Sequence, residues 1–426
     1  MDVRKRRLIE LEDVRHVKIA YSKDAYCGHP RAGALYSFGD GELAVVYNRA
    51  PCAYQRREDV GHDFFYFEQS VQVLTRSLDN GETWSSDGEP IVWERGASIE
   101  ELRARLWPKD ASREELDMSQ PGACFFFGRT WAGKDIERDR RGGNVPLHVS
   151  FSLRSVDRGK TWERVPTLFA PPVHQHSLIS YADPPVRLPD GSFLVVLTAG
   201  GGADPSIHKG PVLYMSDDNG LSWEFIAPVA HDPTGVWGYT YPGLIMLPGG
   251  RLQCYAMRQN VNSSQGNWTC MNYSDDGGLS WSEMRPIGQL GYSPWVARRK
   301  PGHYSRPRTV WDPAGRPMQT YEPMPTGAAL CRSPYPLLLR DGRIVVLYGR
   351  RKPPYGMGGL VSEDEGKTWS QEFVLRDDAN CGDLGYPVAT ELDDGRIFTA
   401  YYYNLDDGNK FGGTRFIAGS FFRVKG

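Results

Sequence analysis

Long apolar runs are missing from this chain. No stretch reaches the length of a membrane-crossing helix, and the basic start MDVRKRRLIELED carries no apolar core of signal-peptide length. The expectation is a cytoplasmic protein with no membrane partner. Charge of one sign is also lacking: 50 Lys and Arg stand against 52 Asp and Glu, a net charge of -2. Binding a polyanion calls for a basic face, so no nucleic-acid partner is expected. Cysteine is sparse and scattered, and the seven residues Cys27, Cys52, Cys124, Cys254, Cys270, Cys331 and Cys381 show no C-x-x-C spacing. This fits a reducing compartment and argues against a zinc site. No His and carboxylate set has ligand spacing either, so neither a metal nor another cofactor is expected in the chemistry.

Turn chemistry, by contrast, is abundant. The chain holds 47 Gly, 31 Pro and 12% aromatic residues, the composition of many short strands joined by turns. Five times it repeats one phrase, S-x-D-x-G-x-[ST]-W: Ser77 to Trp84, Ser155 to Trp162, Ser216 to Trp223, Ser274 to Trp281 and Ser362 to Trp369. Asp and Gly supply the hydrogen bonds and the positive φ of a tight hairpin turn, and the Trp anchors the strand that follows. A fixed internal repeat of this kind sets architecture first.

A second repeat is fainter. Short apolar strands follow a turn glycine at Gly41, Gly191, Gly250, Gly342 and Gly395. Upstream of each lies a residue followed by proline: His29-Pro30, Asp183-Pro184, Tyr241-Pro242, Tyr335-Pro336 and Tyr386-Pro387, with Gln120-Pro121 as a sixth. Six starts imply an all-β, six-bladed propeller of four-stranded antiparallel blades, one domain spanning residues 1-426. The last blade lacks a clean S-x-D-x-G-x-T-W turn, and the early strand Val14 to Ala20 is expected to complete it, closing the ring. Two stretches, about 85-119 (with the helix-like SIEELRARLW) and 282-334, exceed the repeat and are expected to be insertions that shape a pocket.

Strand alternation puts the D-G turns and the Asp-bearing turns on one face, and the X-Pro starts on the other. Binding belongs on the second face, where the variable loops lie. Eight residues on from the turn glycines stand Arg49, Arg258 and Arg350, and three guanidinium groups at one height imply an anionic ligand. The X-Pro residues His29, Gln120, Asp183, Tyr241, Tyr335 and Tyr386 are all polar or aromatic, which suggests a wet central pocket suited to a sugar.

Asp-bearing turns, blade order and arginine pattern together resemble the sialidase superfamily, six-bladed propellers built on Asp-box (BNR) repeats. The resemblance implies an exo-acting glycosidase in which three arginines hold a sugar carboxylate, a Tyr activated by a Glu attacks the anomeric carbon, and an Asp serves as acid/base. On that likeness Tyr386, in YPVATELDDGRI, is the nucleophile and Arg258 the second carboxylate-binding arginine. Asp59 and Asp63 are the acid/base candidates. The first arginine corresponds to Arg31, here after the proline of Cys27-Gly28-His29-Pro30-Arg31, and the third to Arg350 or Arg351. Tyr241 occupies the place of the activating Glu, for which Glu322 is the candidate replacement.

The expected partner is therefore an acidic carbohydrate, sialic or uronic acid, with the oligomeric state open. The same parts admit two other functions. A lyase would use the arginines to neutralise a uronate carboxylate and a Tyr or His (His29, His62, His174, His176) to remove the neighbouring proton. A propeller can also bind carbohydrate without turning it over.

Overall fold

The computed structural model describes residues 7–60, 69–85, 90–94, 97–130, 149–171, 177–178, 183–200, 210–232, 236–260, 268–287, 308–311, 317–320 and 331–425. Six antiparallel sheets form the blades of a propeller ring. Blade one contains Ala25–Gly28 and Ala34–Gly39 as a broken inner strand, then Glu42–Pro51, Val71–Ser77 and Ile91–Glu94. Blade two contains Cys124–Thr130, Val149–Ser155 and Thr167–Leu168; blade three, Ser177–Leu178 with Val186–Arg187, then Phe193–Gly200, Gly210–Ser216 and Glu224–Pro228. Blade four runs Trp237–Met246, Leu252–Asn260, Trp268–Ser274 and Arg285–Pro286, and blade five Cys331–Leu338, Ile344–Arg350, Gly356–Ser362 and Phe373–Arg376. Blade six is Gly385–Glu391, Ile397–Asn404 and Arg415–Val424, with Leu11–Ala20 as its outermost strand.

That last strand pairs antiparallel with Arg415–Val424, so the two chain ends close the ring as expected. The closure also explains why blade six lacks an Asp-bearing turn. In the other blades this turn joins strands three and four, but in blade six those strands are the two ends of the chain, and no hairpin connects them.

All five repeated turns are built alike. In the first, the Ser77 hydroxyl donates to Asp79 Oδ1 at 2.7 Å and accepts from the Gly81 amide at 2.8 Å, while Asp79 accepts from the Thr83 amide and hydroxyl at 2.9 and 2.6 Å. The other four repeat the pattern on Asp157, Asp218, Asp276 and Asp364. Each box glycine, held at positive φ, presses on an apolar side chain of the preceding blade: Gly81 on Phe398, Gly159 on Leu74, Gly220 on Phe125, Gly278 on Leu213 and Gly366 on Met271. A Cβ would collide with that neighbour at Gly159, Gly220 and Gly278 and crowd it at Gly81 and Gly366, so the turn glycine is also an inter-blade contact. Between blades the strands are lined by apolar residues, and the largest buried cluster joins blades five, six and one through Leu347, Phe398, Tyr401, Val45 and Val73.

The described part of the first insertion packs mainly between blades, and its Ile91 borders a cavity on blade one. Its helix, Ile99–Leu106, starts at Ser98 with a capping box to Glu101 and buries Leu102 and Leu106 against Tyr36, Trp93 and Phe126 between blades one and two. Beyond it, Glu114 and Met118 contact Arg154 and Asn219 toward the face of the Asp-bearing turns. Of the second insertion, the described residues between the strands of blades four and five form one hairpin, Arg308–Trp311 with Pro317–Thr320. Gln120-Pro121 is not a blade start: Ala123 donates to the Gln120 carbonyl in a turn closed by Gly122 at φ 93, and the Gly122 carbonyl meets the Arg158 amide as the Gly41 carbonyl meets Asn80. Gln120 therefore lies on the opposite face from His29.

Candidate active site

Three inner strands are bulged where proline interrupts them. Pairing skips between Thr240 and Gly243, between Arg332 and Tyr335, and between Gly385 and Val388. Proline has no N–H for the ladder, and the residue before it turns left-handed: Tyr241 at φ 54, Ser333 at φ 58 and Tyr386 at φ 54. In blade one the break is complete, with His29 at φ 57 leading into a short turn, Pro30–Ala32. Gly33 ends that turn only 2.1 Å, measured from an ideal Cβ, from the Val46 carbonyl oxygen, so no other residue fits. Non-glycine residues at positive φ cost free energy, about 1–3 kcal/mol each, and such outliers gather at functional sites.

These bulges bring side chains together at the centre of the ring. The Tyr386 hydroxyl donates to the Tyr241 hydroxyl at 2.6 Å, their rings edge to face at 5.1 Å. His29 lies edge-on to Tyr386 at 4.7 Å and stacks on Tyr402 at 4.6 Å. Two guanidinium groups flank the pair: Arg332 Cζ is 5.5 Å from the centre of the Tyr241 ring, and Arg351 Cζ is 5.6 Å from that of Tyr386. Arg351 is fixed by its bonds to the Leu384 carbonyl at 2.9 Å and the Tyr402 hydroxyl at 2.5 Å. Tyr402 in turn donates to Asp383, which also accepts from Tyr26 and Arg415.

Burial pushes the Tyr386 phenol above its ordinary range, with Tyr241 adding to the shift and Arg332 and Arg351 opposing it. Burial works against the Arg332 charge, but Tyr241 and Tyr386 more than offset it and its pKa is raised. The arrangement is a hydrogen-bonded phenol pair between two guanidinium groups, with burial favouring the neutral form of Tyr386. An anion placed against Arg332 and Arg351 would lie beside both hydroxyls. Among the described residues no group of three or more His, Cys, Asp or Glu is placed to hold a metal ion.

Other expected residues are elsewhere. Arg31 is 4% exposed and forms a bidentate pair with Asp183 at 3.0 and 2.8 Å; it also donates to Ser333, to the Pro334 carbonyl and to the Pro242 carbonyl. It is a pin across the axis from blade one to blades three, four and five, and both it and Asp183 are engaged within the protein. Tyr335 is buried in the apolar core, because the left-handed step in blade five falls on Ser333-Pro334 rather than Tyr335-Pro336.

Arg49, Arg258 and Arg350 do share one height, each six residues beyond the strand-two residue that faces a box serine. They do not converge. Side chains of second strands point sideways between blades, not toward the axis. Arg258 lies between the rings of Trp237 and Trp268, at 4.4 and 3.9 Å. Arg350 is buried with Nε 3.4 Å from Glu372 Oε1, and Arg49 opens into a cavity on blade one. Asp59 accepts from the Gln55 and Arg56 amides and from the Arg56 guanidinium. Those bonds, the Arg56 amide foremost, hold its pKa below the usual carboxylate range, which suits a turn and not a general acid. Asp63, Glu322, His62, His174 and His176 lie outside the described residues.

Arg332, Tyr402 and Asp383 escaped the sequence reading. Arg332 precedes the first of two consecutive X-Pro steps, and that doubled signal could have shifted the blade start by two residues. Tyr402 sits in the run Tyr401-Tyr402-Tyr403, which reads as buried strand. Asp383 had no signal beyond standing three residues before Tyr386.

Residues 130–399 match the BNR repeat-like domain family. None of the curated protein sequences matches the chain. Among solved structures, a Dyadobacter fermentans protein of unknown function is similar over 97% of this chain and 99% of its own, at 22% identity and a TM-score of 0.67. An alpha-L-arabinofuranosidase of Fusarium graminearum is similar over 96% of this chain and 97% of its own, at 13% identity and a TM-score of 0.56. A Hadza microbial sialidase is similar over 94% of this chain and 65% of its own, at 16% identity and a TM-score of 0.52. At such identities these likenesses speak for the shared propeller fold.

Proposed function

The chain belongs to the family of BNR repeat-like domains, and from that premise we propose that it is a glycoside hydrolase acting on a small acidic glycan at the centre of the ring. The observation that carries this reading is the Tyr386–Tyr241 hydroxyl pair at 2.6 Å between Arg332 and Arg351. Arginine matches a carboxylate with two parallel hydrogen bonds, so a sialic or uronic acid answers both cations. A neutral pentose, such as the arabinofuranosidase neighbour implies, would leave them unanswered. Tyr386 oxygen attacks the anomeric carbon as the glycosidic C–O bond breaks, and its proton passes to the Tyr241 oxygen as Tyr241 gives up its own proton to water. With Asp59 spent on its own turn, Asp63 is the candidate that protonates the leaving oxygen. Water then releases the sugar from Tyr386.

One observation favours a second reaction on the same site. The hydrogen-bond partner of Tyr386 is a phenol, not a carboxylate. A phenol is a weak base for activating a nucleophile whose ordinary pKa is about 10, whereas β-elimination beside an arginine-neutralised uronate needs only a proton acceptor at the α-carbon. The test is incubation with α-sialosides, uronate oligosaccharides and neutral arabino-oligosaccharides, following reducing ends and ultraviolet absorbance together. Free acidic sugar without new absorbance supports hydrolysis. An absorbing, unsaturated product replaces it with elimination, turnover of the arabinan alone overturns the acidic substrate, and silence throughout leaves a binding propeller.

A further inference from the structure

Arg31 and Arg351 are held in opposite ways. Arg31 meets Asp183 directly at 3.0 and 2.8 Å, so its charge is answered within the protein. Arg351 makes no ion pair among the described residues, and a phenol stands between it and Asp383. Its Nη2 donates to the Tyr402 hydroxyl at 2.5 Å, and that hydroxyl donates to Asp383 Oδ1 at 2.8 Å. The sense of both bonds is forced. A guanidinium only donates and an ionised carboxylate only accepts, so the single Tyr402 proton goes to Asp383 and an oxygen lone pair is left facing Arg351. Asp383 has its own counter-charge, since Oδ2 accepts Arg415 Nε at 2.9 Å and the Tyr26 hydroxyl at 3.1 Å. Burial foremost puts the Tyr402 phenol well above its ordinary range; Arg351 pulls against that and Asp383 adds to it, which favours a neutral spacer. Backbone geometry completes the clamp. Arg351 Nε donates to the Leu384 carbonyl at 2.9 Å, an approach opened by Gly349, where an ideal Cβ would lie 2.8 Å from Gly385 Cα and 3.2 Å from that carbonyl oxygen. Nε and Nη2 are thereby spent on the clamp. Nη1 is left without a hydrogen bond among the described residues, on a guanidinium whose Cζ is 5.6 Å from the centre of the Tyr386 ring.

We propose that Asp383 is a positioning residue of the central site: through Tyr402 it holds Arg351 in place beside the Tyr386–Tyr241 pair while leaving the arginine's charge for the carboxylate of the sugar. The proposal rests on the acidic-substrate reading above and adds how the cation is kept both fixed and unspent. A direct Asp383–Arg351 pair would neutralise it, as Asp183 does for Arg31. An arginine held by nothing would give up rotamer freedom when the sugar binds, a cost that a pre-fixed one avoids. Asp383 acts behind Tyr402, which is fully buried, and so reaches the sugar only through Arg351.

The test has a ligand-free arm and a binding arm. In protein carrying isotope-labelled arginine, the Arg351 Nε–H resonance is assigned by its absence in Arg351→Gln. Its order parameter should match rigid backbone, about 0.85, in the wild type and fall below about 0.6 in Asp383→Asn and in Tyr402→Phe. Unchanged order in both variants overturns the clamp whatever the sugar. In the second arm glucuronate and N-acetylneuraminate, with glucose as the neutral control, are titrated by calorimetry. Losing one hydrogen bond to a charged group is worth about tenfold or more in affinity, and each variant should weaken the acids by about that factor. In the Arg351→Gln background the same changes should cost no more than about twofold further, because they act only through that arginine. Equal losses in both backgrounds show a merely structural role and overturn the proposal. Asp383→Asn leaves Arg415, 3% exposed, without its counter-charge, whereas Tyr402→Phe keeps that pair and the ring stacked on His29. Tyr402→Phe therefore carries the test where the first variant does not fold. If Arg351→Gln weakens the acids and Tyr402→Phe does not, the clamp falls and the acidic substrate stands. If neither acid binds the wild type, or glucose binds equally, the acidic reading falls and the role given to Asp383 falls with it.

Discussion

Replacing Arg31 with methionine separates two roles that the sequence alone leaves joined. If Arg31 were a ligand-binding arginine, the change would weaken saccharide binding and leave stability nearly untouched. The structure makes it a pin: the guanidinium is 4% exposed, its Nε and Nη2 meet both Asp183 oxygens, and its remaining donors serve Ser333 and the Pro242 and Pro334 carbonyls. Methionine keeps most of the volume but strands a carboxylate that is largely buried and two carbonyls. Breaking a buried ion pair from one side costs about 3–5 kcal/mol. Denaturant unfolding of Arg31→Met should lose about that much at neutral pH, read as a lower midpoint at unchanged slope. Removing both partners, Arg31→Met with Asp183→Leu, should recover most of the loss, because the cost comes from the orphaned charge. The pH dependence has a definite sign. Burial already raises the Asp183 pKa above 3.8 against the pull of Arg31, and without the cation it rises further. A carboxyl with a folded pKa above its unfolded value is stabilising when protonated, so the deficit of Arg31→Met should shrink as pH falls through the folded pKa toward 3.8. A loss below about 1 kcal/mol, or a double variant weaker than the single, would refute the pin.

Two further outcomes follow from the ring's construction. His16, on the closing strand, bonds Ser420 at 2.7 Å within reach of Tyr401, Arg376 and Asp378; burial, then Arg376, lowers its pKa below 6.5 and Asp378 opposes them. Its neutral form suits the folded state, so stability is full above pH 6.5 and declines as pH falls from there through the lower folded value. Hydrogen-exchange protection of Leu11–Ala20, corrected for the intrinsic pH dependence of exchange, should fall over that interval in the wild type and not in His16→Gln; identical profiles would contradict this. In the fourth repeated turn, hydrogen bonds from Ser280 and Ser274 lower Asp276 from 3.8 to about 2. Its contribution is present above 3.8 and lost as pH falls through about 2, and Asp276→Asn should remove that part of the acid transition in circular dichroism.

Fold and site differed in how far the sequence disclosed them. The Ser77, Ser155, Ser216, Ser274 and Ser362 turns are local: serine, aspartate and glycine make their bonds within five residues, so the pattern is visible in one dimension. Tyr386 and Tyr241 were found for the same reason, each marked by the proline that forces its bulge. Of the arginines only Arg351, one of the two candidates for the third, stands beside the pair. Counting residues located the height of Arg49, Arg258 and Arg350 but not their direction, which depends on a second strand facing its neighbour blade. Arg332 reaches the centre because a bulge shifts blade five by two residues, and Arg31 spans the axis but is engaged there because Asp183, over 150 positions away, claims its guanidinium. Contacts of that separation carry no local signal.

Turnover and affinity of Tyr386→Phe on one acidic oligosaccharide test the central claim most directly. The substitution removes one hydroxyl and keeps the ring that packs on His29 and Tyr241. The expected result is a fall in kcat of about a thousandfold or more with the dissociation constant changed by no more than about threefold, the signature of a group acting only in the transition state. Retained turnover would contradict a catalytic Tyr386 and move the chemistry away from the centre of the ring.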